Sequence, residues 1–305
     1  MIRFFATAFA VFAAIGMLLA REGVPVVKNP AAARSAKTNA PEVTPITLPG
    51  AETFIYRDGK PEPMRLFVFK PRGWSAGDHR PALVFFFGGG WTRGTPESSA
   101  SYAKWAATLG LVGIAPDYRT RNRFGTTPLE SVADGRAALR WVQDHAGELG
   151  IDAGRIVAGG SSSGGHVALW TAIEHTPPGS ATNEAPRGKP CALVLVSPVS
   201  DTSPATGYTP QRFGENAGAL SPVHQLDAKM PPVLVFHGDA DTTVSNRQSL
   251  ALRDKLVAGG NICEFVNVPG GIHGFQSQLP EWKDQCRALI REFLTKQGVL
   301  PVAAK

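Results

Sequence analysis

The segment VAGGSSSGGH at residues 157–166 contains Gly160, Ser161, Ser162, Ser163 and Gly164, a G-x-S-x-G string. That spacing suits a serine nucleophile on a tight strand-to-helix turn, because the residues two positions away must be small for the backbones to approach. Ser162 is the candidate nucleophile. A serine hydroxyl attacks a carbonyl when a base takes its proton and a third group orients that base. Two downstream loops supply both, in the order nucleophile, acid, histidine. HGDADTTV at 237–244 holds Asp239 and Asp241, and PGGIHGF at 269–275 sets His273 among glycines. Either aspartate can orient a histidine; Asp241 is preferred, with Asp239 bracing its loop. Of the seven histidines, His79, His145 and His175 read as surface or structural residues, whereas His224 and His237 are fallback bases.

Acyl transfer also needs donors for the negative charge that develops on the carbonyl oxygen, each worth about 2.7–4 kcal/mol in a hydrolase. FFFGGGWTRG at 85–94 places three glycines directly after an apolar run. The backbone amides of Gly89, Gly90 and Ser163 are the candidate donors. The loop lacks the G-x-G-x-x-G and Gly-Lys-Ser/Thr spacings of phosphate-binding loops, and no H-E-x-x-H metal pattern accompanies the histidines. The expected chemistry therefore needs neither metal nor cofactor.

These residues require a scaffold that brings distant loops to one place, and the pattern of apolar runs supplies one. Strands are expected at 53–58, 64–70, 82–87, 111–115, 155–160, 192–197, 233–238 and 263–268. The Asp58-Gly59 pair suggests a hairpin between the first two. ALVFFF at 82–87 lacks polar alternation, as a strand covered on both faces should. Helices are expected around 97–109, 129–145, 163–173, 246–258 and 281–297. The helix at 129–145 carries Val132, Gly135, Leu139 and Val142 on one face; the last helix carries Trp282, Cys286, Leu289 and Phe293. Strand and helix alternate in the rhythm of a doubly wound, mostly parallel sheet with helices on both faces. Each candidate catalytic loop then lies at a strand's carboxyl end.

The 305 residues are 43% hydrophobic, enough for one large core, so one catalytic domain over 51–300 is expected. The formal charge of +6, from 31 basic and 25 acidic residues, is partly carried by Arg3, Arg21, Lys28, Arg34 and Lys37. No basic stripe interleaved with aromatics is present, which argues against a nucleic-acid partner. Residues 1–20 join Arg3 to an apolar run, the pattern of a secretory signal, with an uncleaved membrane anchor as the alternative. The expected location is periplasmic or secreted, with no stable membrane association once the signal is cleaved. Residues 21–50 read as a flexible leader. Cys191, Cys263 and Cys286 match no metal spacing; an exported chain would permit a Cys263–Cys286 bridge beside the reading of free thiols.

Taken together, FGGGW, DYR at 117–119, GGSSSGGH, SPVHQL at 221–226, HGDADTTV and GGIHGF resemble the hormone-sensitive-lipase-like and carbohydrate-acetylesterase-like (xylan acetylesterase-type) α/β-hydrolases over residues 52–297. The resemblance implies Ser162, Asp241 and His273 as triad, the glycine loop as oxyanion hole, little or no cap domain, and a small ester or acylated carbohydrate as substrate. It also implies a structural network of Asp117, Arg119 and Asp134. Trp91 and Tyr118 are candidates for an aromatic substrate wall and equally for core packing, and Phe213, Asn216 and Leu220 lie where a binding loop is expected. Two positions depart from the lipase-like pattern: Phe87 stands where a histidine opens the glycine loop, and Ser161 where many relatives carry aspartate. The alternative readings are a prolyl-oligopeptidase-like serine exopeptidase and a non-catalytic binding protein on the same fold.

Overall fold

The computed structural model describes residues 46–180 and 185–302. The signal or anchor at 1–20 and all but the end of the leader at 21–50 lie outside the described residues. The described residues fall within the unit Val43–Lys305.

Eight strands form one sheet: β1 (Glu52–Arg57), β2 (Met64–Phe69), β3 (Arg80–Phe86), β4 (Val112–Pro116), β5 (Ile151–Ser161), β6 (Ala192–Val196), β7 (Val233–Gly238) and β8 (Cys263–Val268). Their spatial order is β1-β2-β4-β3-β5-β6-β7-β8. The β1–β2 and β2–β4 pairs are antiparallel, and every other neighbouring pair is parallel. β1 and β2 form the expected hairpin through residues 58–63. Between the strands lie α1 (Ala100–Thr108), α2 (Arg121–Phe124), α3 (Pro128–Asp144), α4 (Ser163–Thr171) and α5 (Arg247–Ala258), and α6 (Phe275–Gln278) and α7 (Pro280–Lys296) follow β8. The stretch expected to be one helix from 97 to 109 is a 3-10 turn at Pro96–Ser98 followed by α1. β5 starts earlier than its apolar run suggests, because Arg80 pairs with Ile151. The one-turn helices α2 and α6 are too short to leave a periodic signal.

Alternating side chains of the central strands divide the core in two. Ala82, Val84 and Phe86 of β3 pack with Val132, Leu139 and Val142 of α3, Val167 of α4, and Leu252 and Leu256 of α5. Leu83 and Phe85 face the other way, with Tyr102 and Ala106 of α1 and Ile290 and Phe293 of α7. Period-2 alternation in a strand covered on both sides makes both faces apolar, so the run reads as continuously hydrophobic. The helices are set by their caps and stripes. Thr127 Oγ1 accepts the Leu129 amide at 3.3 Å while Glu130 Oε2 accepts the Thr127 amide at 2.9 Å, closing a capping box on α3. On the buried stripe of α3, a Cβ at Gly135 would lie 2.1 Å from Val167 Cγ1, so the glycine sets the close approach of α3 to α4.

The same two-faced core decides the cysteines. Cys263 packs with the cluster of α3, α4 and α5, whereas Cys286 is buried in the cluster of α1 and α7. The sheet separates them, and all three cysteines are free thiols. The permitted Cys263–Cys286 bridge is thereby corrected.

Candidate active site

β5 ends at Ser161 and α4 begins at Ser163, leaving Ser162 alone in the turn. Its backbone is at φ 54°, ψ −121°, a conformation costly for a residue with a Cβ and characteristic of a serine thrust out of a sharp strand-to-helix turn. The turn closes because its flanks carry no side chain. A Cβ on Gly160 would stand 2.2 Å from the Gly164 carbonyl oxygen, and one on Gly164 2.3 Å from the Phe86 and Phe87 carbonyl oxygens.

Ser162 Oγ lies 3.0 Å from His273 Nε2, and His273 Nδ1 lies 2.8 Å from Asp241 Oδ2. In the resting form the serine hydroxyl donates to Nε2 and Nδ1–H donates to the carboxylate. The loops after β5, β7 and β8 thus bring together three residues that span 111 positions of chain. Asp241 is enclosed by donors. Its Oδ1 accepts the Thr243 and Val244 amides, both at 2.9 Å. Its Oδ2 accepts His237 Nε2 at 3.2 Å besides His273. Burial pushes the carboxyl up, but the bonds from His237, His273 and the Val244 amide together outweigh it and hold Asp241 well below the usual carboxylate range.

His237 is not a base. Its Nε2 also lies 2.9 Å from the Val244 carbonyl oxygen, and its Nδ1 lies 2.6 Å from Ser249 Oγ. Two acceptors at Nε2 require a proton there, so Nδ1 accepts the Ser249 hydroxyl and the buried ring orients Asp241. Sequence reasoning missed this brace, although its spacing of four from Asp241 within HGDAD was a visible signal. His224 is engaged elsewhere, with Nδ1 2.9 Å from Ser221 Oγ. Asp239 braces its loop: Oδ1 accepts the Gly270 amide at 2.7 Å and Oδ2 accepts Asn267 Nδ2 at 3.1 Å.

The glycine loop is arranged differently from the expectation. The Gly90 amide donates to Ser163 Oγ at 2.9 Å, so Gly90 is corrected as a free oxyanion donor: its single N–H already has an acceptor. The Gly89 and Ser163 amides have no such partner among the described residues. The Tyr118 hydroxyl donates to the Phe87 carbonyl oxygen at 2.7 Å. The Phe87 and Tyr118 rings stack at 4.0 Å, 8° apart. These contacts hold the loop where a histidine side chain is absent.

They also correct the aromatic wall. Tyr118 is 0% and Trp91 1% exposed. Trp91 meets His166 and Phe213 edge-on at 5.1 and 4.8 Å. Both aromatics are core, where large rings bury most area. Phe213 and Leu220 are buried too, and with Asn216 they stay off the cavity wall. The Leu220 carbonyl oxygen accepts His166 Nε2 at 2.8 Å and Trp170 Nε1 at 3.0 Å, which pins the 198–230 segment to α4. Burial lowers His166 to about 4, so its ring is neutral. The expected acidic network is two: Arg119 forks onto Asp134 at 2.7 Å through Nε and Nη2, with Arg57 Nε at 2.9 Å, while Arg123 forks onto Asp117, both bonds at 2.7 Å.

Ser162, His273, Gly89 and Gly90 open into a cavity of about 1070 Å³. Its wall draws Tyr102 from α1, Tyr208 and Arg212 from the 198–230 segment, and Gln276 from α6. No motif marked these residues, because they come from loops and from helix ends without periodicity.

The sequence model of the BD-FAE family matches residues 68–186 and 197–256. The chain belongs to the BD-FAE family. Its α/β-hydrolase fold follows from the eight-stranded order and from solved neighbours. Esterase 2 of Thermogutta terrifontis superposes with a TM-score of 0.76 at 33% identity, covering 84% of this chain and 96% of that one. The same neighbour has also been solved bound to butyrate and phosphoramylated by tabun. The carboxylesterase NlhH of Mycobacterium tuberculosis is 32% identical over 65% of this chain and 67% of its own length. The esterase LipQ of the same organism is 26% identical over 81% of this chain, which spans 63% of LipQ. Membership of the BD-FAE family and these esterase relatives support a serine carboxylic-ester hydrolase.

Proposed function

We propose that this BD-FAE protein hydrolyses short-chain carboxylic esters through an acyl-serine intermediate, with acetyl groups on a xylan-type carbohydrate as the natural class of substrate. The observation that carries the reading is the continuous relay from Ser162 through His273 to Asp241 at 3.0 and 2.8 Å, with the serine alone in a strained turn. Ser162 Oγ attacks the ester carbonyl as His273 Nε2 takes its proton, and Asp241 stabilises the imidazolium that forms. The Gly89 and Ser163 amides meet the oxyanion. Collapse of the tetrahedral intermediate breaks the bond to the alcohol, which leaves with the proton from His273. Water then attacks the acyl-serine with His273 again as base, releasing the acid and restoring Ser162.

The carbohydrate assignment draws on the motif resemblance and on a cavity of about 1070 Å³, at the upper end of the roughly 300–1,000 Å³ of small-molecule clefts. Export rests on residues 1–20, an apolar run behind Arg3, and it favours extracellular or periplasmic polymers as substrates. The test is initial-rate hydrolysis of 4-nitrophenyl acetate, butyrate and octanoate beside acetylated xylan, with Ser162→Ala as control. Acetate release from xylan that depends on Ser162 supports the full reading. Activity on the synthetic esters alone rejects the polysaccharide, and no Ser162-dependent hydrolysis of any ester rejects the enzyme.

A further inference from the structure

The rim of the cavity carries cations from three separate elements and no acid. Arg93 follows the glycine loop, Arg212 lies in the 198–230 segment, and Lys283 is in the first turn of α7; all three line the cavity with Ser162 and His273. Among the described residues no Asp or Glu shares that lining. None of the three cations has an ion-pair partner there either.

Arg212 is the best placed. It ends the 3-10 turn Pro210–Arg212, and its neighbour Phe213 is buried edge-on against Trp91. The backbone is therefore anchored one residue away from the guanidinium. From that anchor Nη1 donates to the Gly90 carbonyl oxygen at 2.9 Å, which holds the guanidinium against the oxyanion loop. A guanidinium has five N–H donors in a rigid fork, and this one uses one of them on Gly90. The rest border a cavity whose other charges are also positive. A planar fork with free donors matches a carboxylate, and a cluster of one sign raises the local concentration of the opposite one.

We propose that the cavity selects esters that carry a carboxylate away from the scissile bond, read by Arg212 with Lys283 and Arg93 supplying the surrounding field. The proposal rests on the ester-hydrolase reading above and narrows its substrate to acidic esters, of which a uronate-bearing sugar chain is the carbohydrate form. A neutral ester gains nothing from these cations, whereas a carboxylate within a few ångströms of one gains about fivefold or more in kcat/KM even in a well-hydrated setting.

Two matched pairs test it on the full chain. On the alcohol side, 4-acetoxybenzoate is compared with its methyl ester; on the acyl side, 4-nitrophenyl hydrogen adipate with 4-nitrophenyl methyl adipate. Release of the phenol is followed, and each kcat/KM is divided by the spontaneous rate. The expected result is an anion-to-neutral ratio of about five or more in at least one pair, falling toward one as salt rises from about 0.01 M to about 0.5 M. Arg212→Gln and Lys283→Gln should each lower that ratio, and the ratio, unlike a rate, is insensitive to partial loss of folded enzyme. A ratio near or below one in both pairs overturns the proposal, as does a high ratio that survives the double substitution. If neither member of any pair is hydrolysed in a Ser162-dependent way, the ester-hydrolase reading itself has failed.

Discussion

Gly90 donates its backbone N–H to the Ser163 hydroxyl at 2.9 Å, so the residue after Ser162 holds the glycine loop by its side chain. Ser163 is fully buried, and its hydroxyl ties the loop to the elbow through that one bond. Removing the hydroxyl with Ser163→Ala should cost about 1–2 kcal/mol of stability, the usual consequence of orphaning one buried partner. Loosening the loop should also lower kcat roughly three- to tenfold with KM little changed, since a displaced oxyanion donor acts in the transition state. Urea unfolding and initial rates with 4-nitrophenyl acetate measure the two effects.

Ser162 stands at φ 54°, ψ −121°, where glycine meets no steric penalty and alanine does. Ser162→Ala and Ser162→Gly should both lose about 10⁴-fold or more in kcat. The glycine variant should nonetheless be the more stable of the two, by about 1 kcal/mol. Equal stability would show that the turn stores no strain at this residue.

The two aspartates of HGDAD have separate tasks. Asp241→Asn should lower kcat about 10³- to 10⁴-fold, because the amide favours the wrong imidazole tautomer. Asp239→Asn keeps only one of the two side-chain acceptors that serve Asn267 and Gly270, at a cost of about 1 kcal/mol with kcat within about threefold of the parent. Activity measured at saturating ester distinguishes them.

Acid should destabilise the fold through the buried His166. Burial depresses the folded pKa of His166 to about 4 from its ordinary 6.5. Between those values the unfolded chain binds a proton that the folded chain does not, so stability falls as pH drops from about 6.5 to about 4 and loses nothing further from this group below that. The shift sets a ceiling of roughly 3 kcal/mol. Asp241, held below the usual carboxylate range, adds a separate loss as pH falls below about 4, the unfolded carboxylate's value. Urea midpoints between about pH 7 and 4.5, compared with those of His166→Gln, isolate the histidine: the variant should lack most of the slope in that window.

The buried ion pair on Asp134 is costly to break. Asp134 is fully buried and receives Arg119, through two side-chain nitrogens and its amide, together with Arg57. Asp134→Ala leaves two guanidiniums beside an empty site and should destabilise by about 3–5 kcal/mol. Thermal unfolding monitored by circular dichroism reads this loss.

Much of this molecule is written in local pattern. The apolar run of β3, the spacing of Gly160, Ser162 and Gly164, and the chain order serine, aspartate, histidine are short-range features, because strand burial and a tight turn impose their demands on consecutive residues. They sufficed to find the sheet, the elbow and the three residues of the relay. What decided the rest was contact between segments far apart in sequence. Whether Gly90 offers a free amide depends on a hydroxyl 73 positions later. Trp91 and Tyr118 read equally well as wall or core until the 198–230 segment covers the one and Phe87 the other. Cys263 and Cys286 are divided by the face of the sheet each occupies, which depends on strand register and helix placement together. Arg212 carries no motif, and its meaning comes only from Phe213 being buried beside it and Gly90 lying within reach. Local sequence constrains backbone shape, whereas the pairing of donors, acceptors and charges depends on which loops the sheet brings to the same end.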